Sequence, residues 1–528
     1  MRQNILFNFL SRTWVHGISL VFFVCIFNYI HFDLTRIDLF DETLYLNLRN
    51  SPNVAWGPLY SSFYKFLSLV INSPLLLHDF SFVLVTSFIV PISLFLLFLK
   101  LGANSFQSLI ISLSLSLSQT FIAAVPHIHK FNFSVLTLLF VYLYDDRSSL
   151  KKYLFFGGWG LSLFIRQENI IGFVFFVIFN FVFEKRFSNL RRIKNLLLYF
   201  SIFSLGVILL LLVWGSPIDP RSFAAFIDHF RWRNPELALT FSDFDQRFPG
   251  ATSVFTFLVN YPSDFFSHIL KNIITLPIIL IKATSTSLGR VSSLIFFLSL
   301  FVFFIIFPIQ SISRNRSTLI FSGSLALQAL ILVILLQPWT KYLPALSVFV
   351  MILFILLASR FSRLITKVNH SINFLIGLIA STIYGFCIAL HFFFCDGTFF
   401  ETHRFENHPR ALIKQLSSTL QDTESIMTID HLGLYLKDRY LLKKSYLLSD
   451  YTFHRFDNES FTDFMIRNKI NVFCFLDSFV TPWILANPQE YATIHDFINS
   501  AHEHGYEIKI IHDTQDKFRC FKRDFYSQ

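Results

Sequence analysis

About eleven apolar runs recur along this chain, near residues 14–32, 79–100, 103–125, 131–145, 152–166, 169–184, 196–214, 290–309, 317–336, 343–359 and 371–394. Hydrocarbon about 30 Å thick takes about 20 helical residues at about 1.5 Å each, so the longer runs can cross a bilayer unaided. The shorter ones need interfacial ends or buried polar neighbours. Charged residues make up only 15% of the chain, against roughly a quarter in soluble proteins. With 53% hydrophobic residues, 70 Phe and a mean hydropathy of +0.54, the fold class expected is a polytopic α-helical membrane protein. The first run is expected to stay as an uncleaved anchor, because Phe-rich sequence continues to Ile30 without a small-residue cleavage site.

The net charge of +10 does not point to nucleic acid, because the basic residues sit in short clusters between apolar runs. There is no Gly-rich phosphate loop, zinc-type cysteine spacing or nucleic-acid motif, and no nucleic-acid partner is expected. Arg2 and Arg12 precede the first run, and Arg147, Lys151 and Lys152 follow the fourth. Lys185, Arg186, Arg191, Arg192 and Lys194 follow the sixth, Arg314 and Arg316 the eighth, and Arg360, Arg363 and Lys367 the tenth. With eleven crossings all these clusters fall on one face, which the positive-inside rule makes cytoplasmic. The opposite face then carries 33–78, 126–130, 167–168, 215–289, 337–342 and the C-terminal segment 396–528.

Two of those outward loops are long and contain aromatic amphipathic stretches suited to the interface plane, Leu59–Phe66 and Phe223–Phe230. From residue 396 charges become frequent and apolar runs shorten. Residues 425–429 and 471–476 read as strands, 461–468 and 491–504 as helices, and 506–512 and 517–522 as closing strands. The expected organisation is therefore a membrane domain over 1–395 and an extracytoplasmic α/β domain over 396–528. Five cysteines, Cys25, Cys387, Cys395, Cys474 and Cys520, form no recognisable disulfide framework and leave the redox compartment open.

Chemistry is first suggested by Asp41 and Glu42, followed by Tyr45, a few residues past the first run. A carboxylate pair just outside the membrane suits a general base, although acidic residues in this place also serve as solvated flanks. Three further segments on the same face accompany it: Trp56-Gly57-Pro58-Leu59-Tyr60, Arg166-Gln167-Glu168-Asn169 and Lys341-Tyr342-Leu343-Pro344.

In this order, the four segments resemble motifs of the GT-C glycosyltransferase superfamily, in its protein O-mannosyltransferase and aminoarabinose-transferase branch. Asp41-Glu42-x-x-Tyr45 is similar to the acidic motif of the first outward loop, and Trp56–Tyr60 to the Pro-aromatic stretch before an interfacial helix. Arg166–Asn169 is similar to an Arg-x-Glu turn, and Lys341–Pro344 to a basic-Tyr-Leu-Pro motif. The chain departs from the family at Gln167, where Pro is often found, at Lys341, where Arg is common, and in the loop 126–130, which has no second acidic residue.

The resemblance implies inverting transfer of a sugar from a polyprenyl-phosphate-linked donor to a protein, glycan or lipid acceptor. Asp41 would take the acceptor proton, with Glu42 orienting the acceptor or raising the pKa of the base. Arg166 and Lys341 would receive the leaving phosphate, and Tyr342 would add a hydroxyl donor. Glu168, Tyr45, His127, His129 and Lys130 are candidates for the substrate loop.

Each candidate has a structural alternative. Arg166 and Lys341 suit interfacial anchors, and Arg231, Trp232 and Arg233 a solvated loop with an aromatic anchor. His127 and His129 together with Asp41 leave a divalent metal open but do not specify one, and no other cofactor is implied. A transporter of lipid-linked sugars or a non-catalytic assembly protein would share the spans, yet neither requires Asp41, Arg166 and Lys341 to converge on one cavity. Short loops and the absence of a retention signal at Gln528 favour the bacterial cytoplasmic membrane over the endoplasmic reticulum, with the site outside.

Overall fold

The computed structural model describes residues 2–31, 57–71, 73–122, 127–145, 148–183, 189–214, 221–234, 237, 244, 246–284, 289–309, 315–365, 379, 382–386, 425–428, 445–447, 459–476, 488–513 and 517–523. The chain divides into two compact units. The first holds Met1–Phe32, Pro52–Tyr60 and Ser81–Glu401; the second holds Asp33–Ser51, Ser61–Phe80 and Thr402–Gln528.

The helices of the membrane part run in the order α1 (Arg2–His31), α2 (Pro58–Leu67), α3 (Pro74–Val83), a π-helical turn (Leu84–Ile89) and α4 (Val90–Leu101). Next come α5 (Ser105–Ser116), α6 (Gln119–Ile122), α7 (Ile128–Leu143), α8 (Ser149–Ser162), α9 (Asn169–Phe183) and α10 (Asn189–Trp214). The remainder are α11 (Arg221–Arg233), α12 (Val254–Asn260), α13 (Pro262–Thr284), α14 (Gly289–Ile306), α15 (Arg316–Leu335), a 3-10 turn (Thr340–Tyr342) and α16 (Pro344–Ile365). Ten of the eleven apolar runs correspond to these helices within a few residues at most ends. Of the run expected at 371–394, only residues 379 and 382–386 are described.

Among the described residues, four helices are long and apolar enough to cross a membrane: Leu75–Leu101, Pro262–Ile281, Arg316–Leu335 and Pro344–Ser362. The second lies inside the segment 215–289 expected to be one outward loop. Lys271, Asn272 and Pro277 interrupt its apolar sequence and leave a stripe rather than a continuous run, which hides it from a hydropathy reading. It packs against α6, α11, α12, α15, α16 and the 340–342 turn, with Leu276, Ile279 and Leu280 against a cluster that includes Ala326, Ala329 and Val333.

Without a hydrophobic driving force between helices in lipid, close packing must hold them together. In this chain much of that packing is aromatic. Phe140 and Phe321 stack at 4.2 Å, Phe173 and Phe203 at 3.8 Å, and Phe155, Trp159 and Phe176 close the space around them edge to face or tilted. Where α8 crosses α10 the backbones touch: a Cβ on Gly160 would lie 2.6 Å from the Phe203 carbonyl oxygen, so only glycine fits. Two cations, the half-buried Lys100 and the buried Lys130, cap helices. Lys100 Nζ donates to the carbonyls of Phe140, Val141 and Tyr144 at the end of α7, at 2.9, 2.9 and 2.7 Å. Lys130 Nζ donates to those of Phe121 and Ile122 at the end of α6, at 2.8 and 3.1 Å.

The second unit contains a five-stranded mixed sheet in the order β2-β1-β3-β5-β4. Its strands are β1 (Ile426–Thr428), β2 (Ser445–Leu447), β3 (Val472–Leu476), β4 (Glu507–Asp513) and β5 (Lys517–Lys522). Helices α17 (Phe461–Arg467) and α18 (Pro488–Ser500) pack on it around a core of Phe461, Phe464, Phe473, Ile494, Phe497 and Phe521. Strand β2 was not expected, because Ser445–Leu447 is only three residues beside charged sequence. The buried Tyr506 donates from its hydroxyl to the Ile470 carbonyl at 2.9 Å, and burial pushes its pKa up, so it remains a donor.

The reading that the cysteines form no disulfide framework is corrected here. Antiparallel pairing of β3 with β5 sets Cys474 opposite Cys520, and the two are joined with their Cα atoms 4.2 Å apart. No spacing rule shows this, because a sequence separation of 46 is bridged only by strand register.

Candidate functional site

The turn between α8 and α9 is built around Asn169, which is fully buried. Its amide exchanges hydrogen bonds with Asn132 of α7 at 2.9 and 2.7 Å and donates to the Ser162 carbonyl and hydroxyl at 2.9 Å each. Gln328 of α15 donates to its side-chain oxygen at 3.0 Å, and Trp159 Nε1 to its carbonyl at 3.0 Å. A side chain satisfied on three helices in an apolar surrounding holds the turn rigid, because breaking any bond strands a polar group away from water. Arg166 and Glu168 stand on that turn and form an ion pair at 2.5 Å, with side chains 15% and 9% exposed.

Residues 57–60 reach the same turn. Leu59 N donates to the Phe164 carbonyl at 3.0 Å, and Pro58 opens α2 as the first helical residue, where its missing N–H costs nothing. Gly57 has φ +125°, and a Cβ there would lie 2.6 Å from the Ile165 carbonyl oxygen and 2.8 Å from the Ile128 side chain. Gly57→Ala is therefore expected to cost about 2 kcal/mol or more, from the disfavoured backbone region and the clash with fixed backbone. Thermal unfolding in detergent measures it; a midpoint equal to the wild type's would refute the close approach. Tyr60 completes the junction against Phe131 of α7, ring centroids 5.2 Å apart.

The expected basic loop at 127–130 is the start of α7, and the helix splits its side chains. His127 and Lys130, three residues apart and both buried, face Phe82, whose ring lies 5.1 Å from the imidazole and 6.0 Å from the ammonium. His129 points elsewhere and packs edge-on against Tyr342, centroids 4.8 Å apart. The expectation that 127–130 forms a compact loop is thus corrected: these residues open a helix. Lys130 caps α6, and of the three only His129 lines the cleft described below. No group of three His, Cys, Asp or Glu side chains suited to a metal occurs among the described residues.

The 340–342 turn brings in the last segment. Lys341 Nζ lies 4.5 Å above the Trp339 ring and 5.4 Å from the Tyr342 ring. Arg166 and Lys341 both act electrostatically on His129. Polar side chains of His129, Asn132, Glu168, Gln328 and Tyr342 line one cleft, with apolar surface from Leu136, Leu325, Leu332 and Ala345. The structure therefore brings together Arg166, Glu168, His129, Lys341 and Tyr342 from three segments, with Gly57 braced against one of them. Asp41, Glu42 and Tyr45 lie outside the described residues.

Sequence reasoning named Asn169 only as the end of the 166–169 segment and missed Asn132 and Gln328. The signal was present, since Asn132 and Gln328 are uncharged polar residues within apolar runs and must find partners there. It also missed His229, whose Nε2 lies 3.2 Å from the Tyr342 hydroxyl.

No protein-family model matches the chain, and no curated protein matches it.

Proposed function

We propose that this protein is an inverting glycosyltransferase that moves a sugar from a polyprenyl-phosphate-linked donor to an acceptor at the extracytoplasmic face of a membrane. The observation that carries the reading is the cleft, where polar side chains from segments about 170 residues apart stand beside an apolar wall among membrane-type helices, with Arg166 and Lys341 near enough to act on His129 in its lining. A ligand with a charged phosphate and a long hydrocarbon tail matches both surfaces.

In the transfer, the bond between the anomeric carbon and the phosphate oxygen breaks as the acceptor oxygen or nitrogen bonds to that carbon from the opposite side. Arg166 and Lys341 offset the charge left on the phosphate, Arg166 while held by Glu168 and Lys341 while held over two aromatic rings. Asp41 takes the acceptor proton and Glu42 tunes or orients it.

The eleven-span topology and the sidedness belong to the same proposal. Basic clusters at the far ends of the runs support an outward position for the turns at 57–60, 127–130, 163–168 and 337–343. The Cys474–Cys520 bridge supports an oxidising compartment for the sheet-bearing unit, as on the outer side of a bacterial cytoplasmic membrane.

The test is transfer of label from a panel of radiolabelled polyprenyl-phosphate sugars in membranes containing the protein. Label should appear on an acceptor with release of an equal amount of polyprenyl phosphate. Movement of an intact donor across the bilayer without transfer would replace the reading with that of a flippase.

A further inference from the structure

Helix α11 sets His229 against Tyr342, a residue of the cleft lining, and two kinds of contact hold the helix. Phe226 and Phe230 on the same helix pack into a cluster with Phe244, Phe257 and Phe265. At its C-terminal end Arg233 donates to the Lys271 carbonyl and the Thr275 hydroxyl of α13, at 2.5 and 2.7 Å, and Lys271 Nζ donates to Asn234 Oδ1 at 2.6 Å. Both faces of the helix end are thus tied to α13.

His229 is 6% exposed, and its ring meets Trp339 edge-on with centroids 4.7 Å apart. Its Nδ1 lies 3.4 Å from Gln337 Oε1, and its Nε2 lies 3.2 Å from Tyr342 Oη. With the Gln337 amide oxygen turned toward the ring, as placed, Nδ1 carries the ring proton and Nε2 accepts from the phenol. The backbone just before Gln337 is tied to α13, because Asn272 Nδ2 donates to the carbonyls of Ile334 and Leu336, and His268 Nε2 meets that of Leu335 at 3.0 Å.

We infer that His229 is a positioning residue for Tyr342: it holds the phenol proton, so that Tyr342 meets the substrate as a hydrogen-bond acceptor and recognises an O–H or N–H group of the sugar or acceptor rather than the phosphate. The inference rests on the proposed transferase reading and changes the role of Tyr342 within it. A phenol that donated to the phosphate would need its proton turned toward the anion and away from His229. With the proton on the His229 side, the oxygen suits the hydroxyl-rich or amine-bearing partner, while Arg166 and Lys341 attend to the phosphate.

The test uses the full chain in detergent or liposomes, with the wild type, His229→Phe, His229→Gln, Tyr342→Phe and the double variant His229→Phe/Tyr342→Phe. The phenylalanine at 229 keeps the aromatic contact with Trp339; the glutamine restores an acceptor. Thermal unfolding should show each single variant folded. Transfer should fall about tenfold in His229→Phe and Tyr342→Phe, recover in His229→Gln, and fall no further in the double variant. Affinity for sugar-free polyprenyl phosphate should stay within about twofold of the wild type's in all of them, a split that a purely structural defect would not give.

Multiplicative losses in the double variant, unchanged transfer in His229→Phe, or equal losses of polyprenyl phosphate affinity in the single variants would overturn the positioning role while leaving the transferase reading standing. A wild type that neither transfers a sugar nor binds polyprenyl phosphate would overturn both.

Discussion

Arg166→Ala is expected to weaken binding of polyprenyl phosphate and to slow transfer, together by about 10²-fold. Two consequences of the substitution act in the same direction. A developing phosphate charge loses its bidentate donor in a site of low dielectric, and Glu168, only 9% exposed, keeps a carboxylate with no guanidinium beside it. Removing one member of such a pair costs about 3–5 kcal/mol, so the single variant should also unfold at lower temperature. Arg166→Ala/Glu168→Gln separates the two effects. The neutral amide removes the stranded charge, and stability should return while phosphate binding stays weak. Normal binding in the double variant, measured with polyprenyl phosphate in detergent, would make Arg166 an interfacial anchor whose partner happens to be acidic.

Asp41→Asn is expected to lower turnover by about 10²-fold or more and to leave donor binding and expression intact, since amide and carboxylate have nearly the same shape and only the carboxylate accepts a proton. Single-turnover transfer with saturating donor isolates this step. Wild-type turnover in the variant would sink the assignment of Asp41 as base and leave the acidic pair as a solvated flank.

The segments that meet at the cleft were legible before any coordinates, and what made them legible differs from one to the next. Arg166, Glu168 and Lys341 stand out because charge at the end of an apolar run must be accounted for. Gly57 stands out only with its neighbours, as a glycine before a proline that opens an aromatic helix. Asn132 and Gln328 were passed over, and Asn169 was named only as the end of its segment, because an uncharged polar residue in an apolar run draws little notice until its partners are known. His229 was read as one position in an amphipathic stretch. Its role follows from which face of α11 packs on the Phe cluster, and the spacing of Phe226 and Phe230 alone does not say what the remaining face meets. The basic loop at 127–130 failed for the opposite reason. Adjacent residues look like one cluster in sequence, but helical geometry turns them about 100° apart, which sends Lys130 to the end of α6 and His129 to the cleft.

By itself, the sequence determined that this is a membrane-type helical chain with a smaller strand-bearing part near its C-terminus. Apolar run length, charge depletion and a change of period at the start of the C-terminal segment are local properties, and each acts over a window of one helix or strand. Tertiary structure alone decided that α13 is a helix packed against α15, that Cys474 faces Cys520, and that Glu168, His129 and Tyr342 border one cleft. Those are pairings between segments tens to hundreds of residues apart. They depend on which helix faces interlock and which strand register buries the core, and neither is written in the spacing of any single segment.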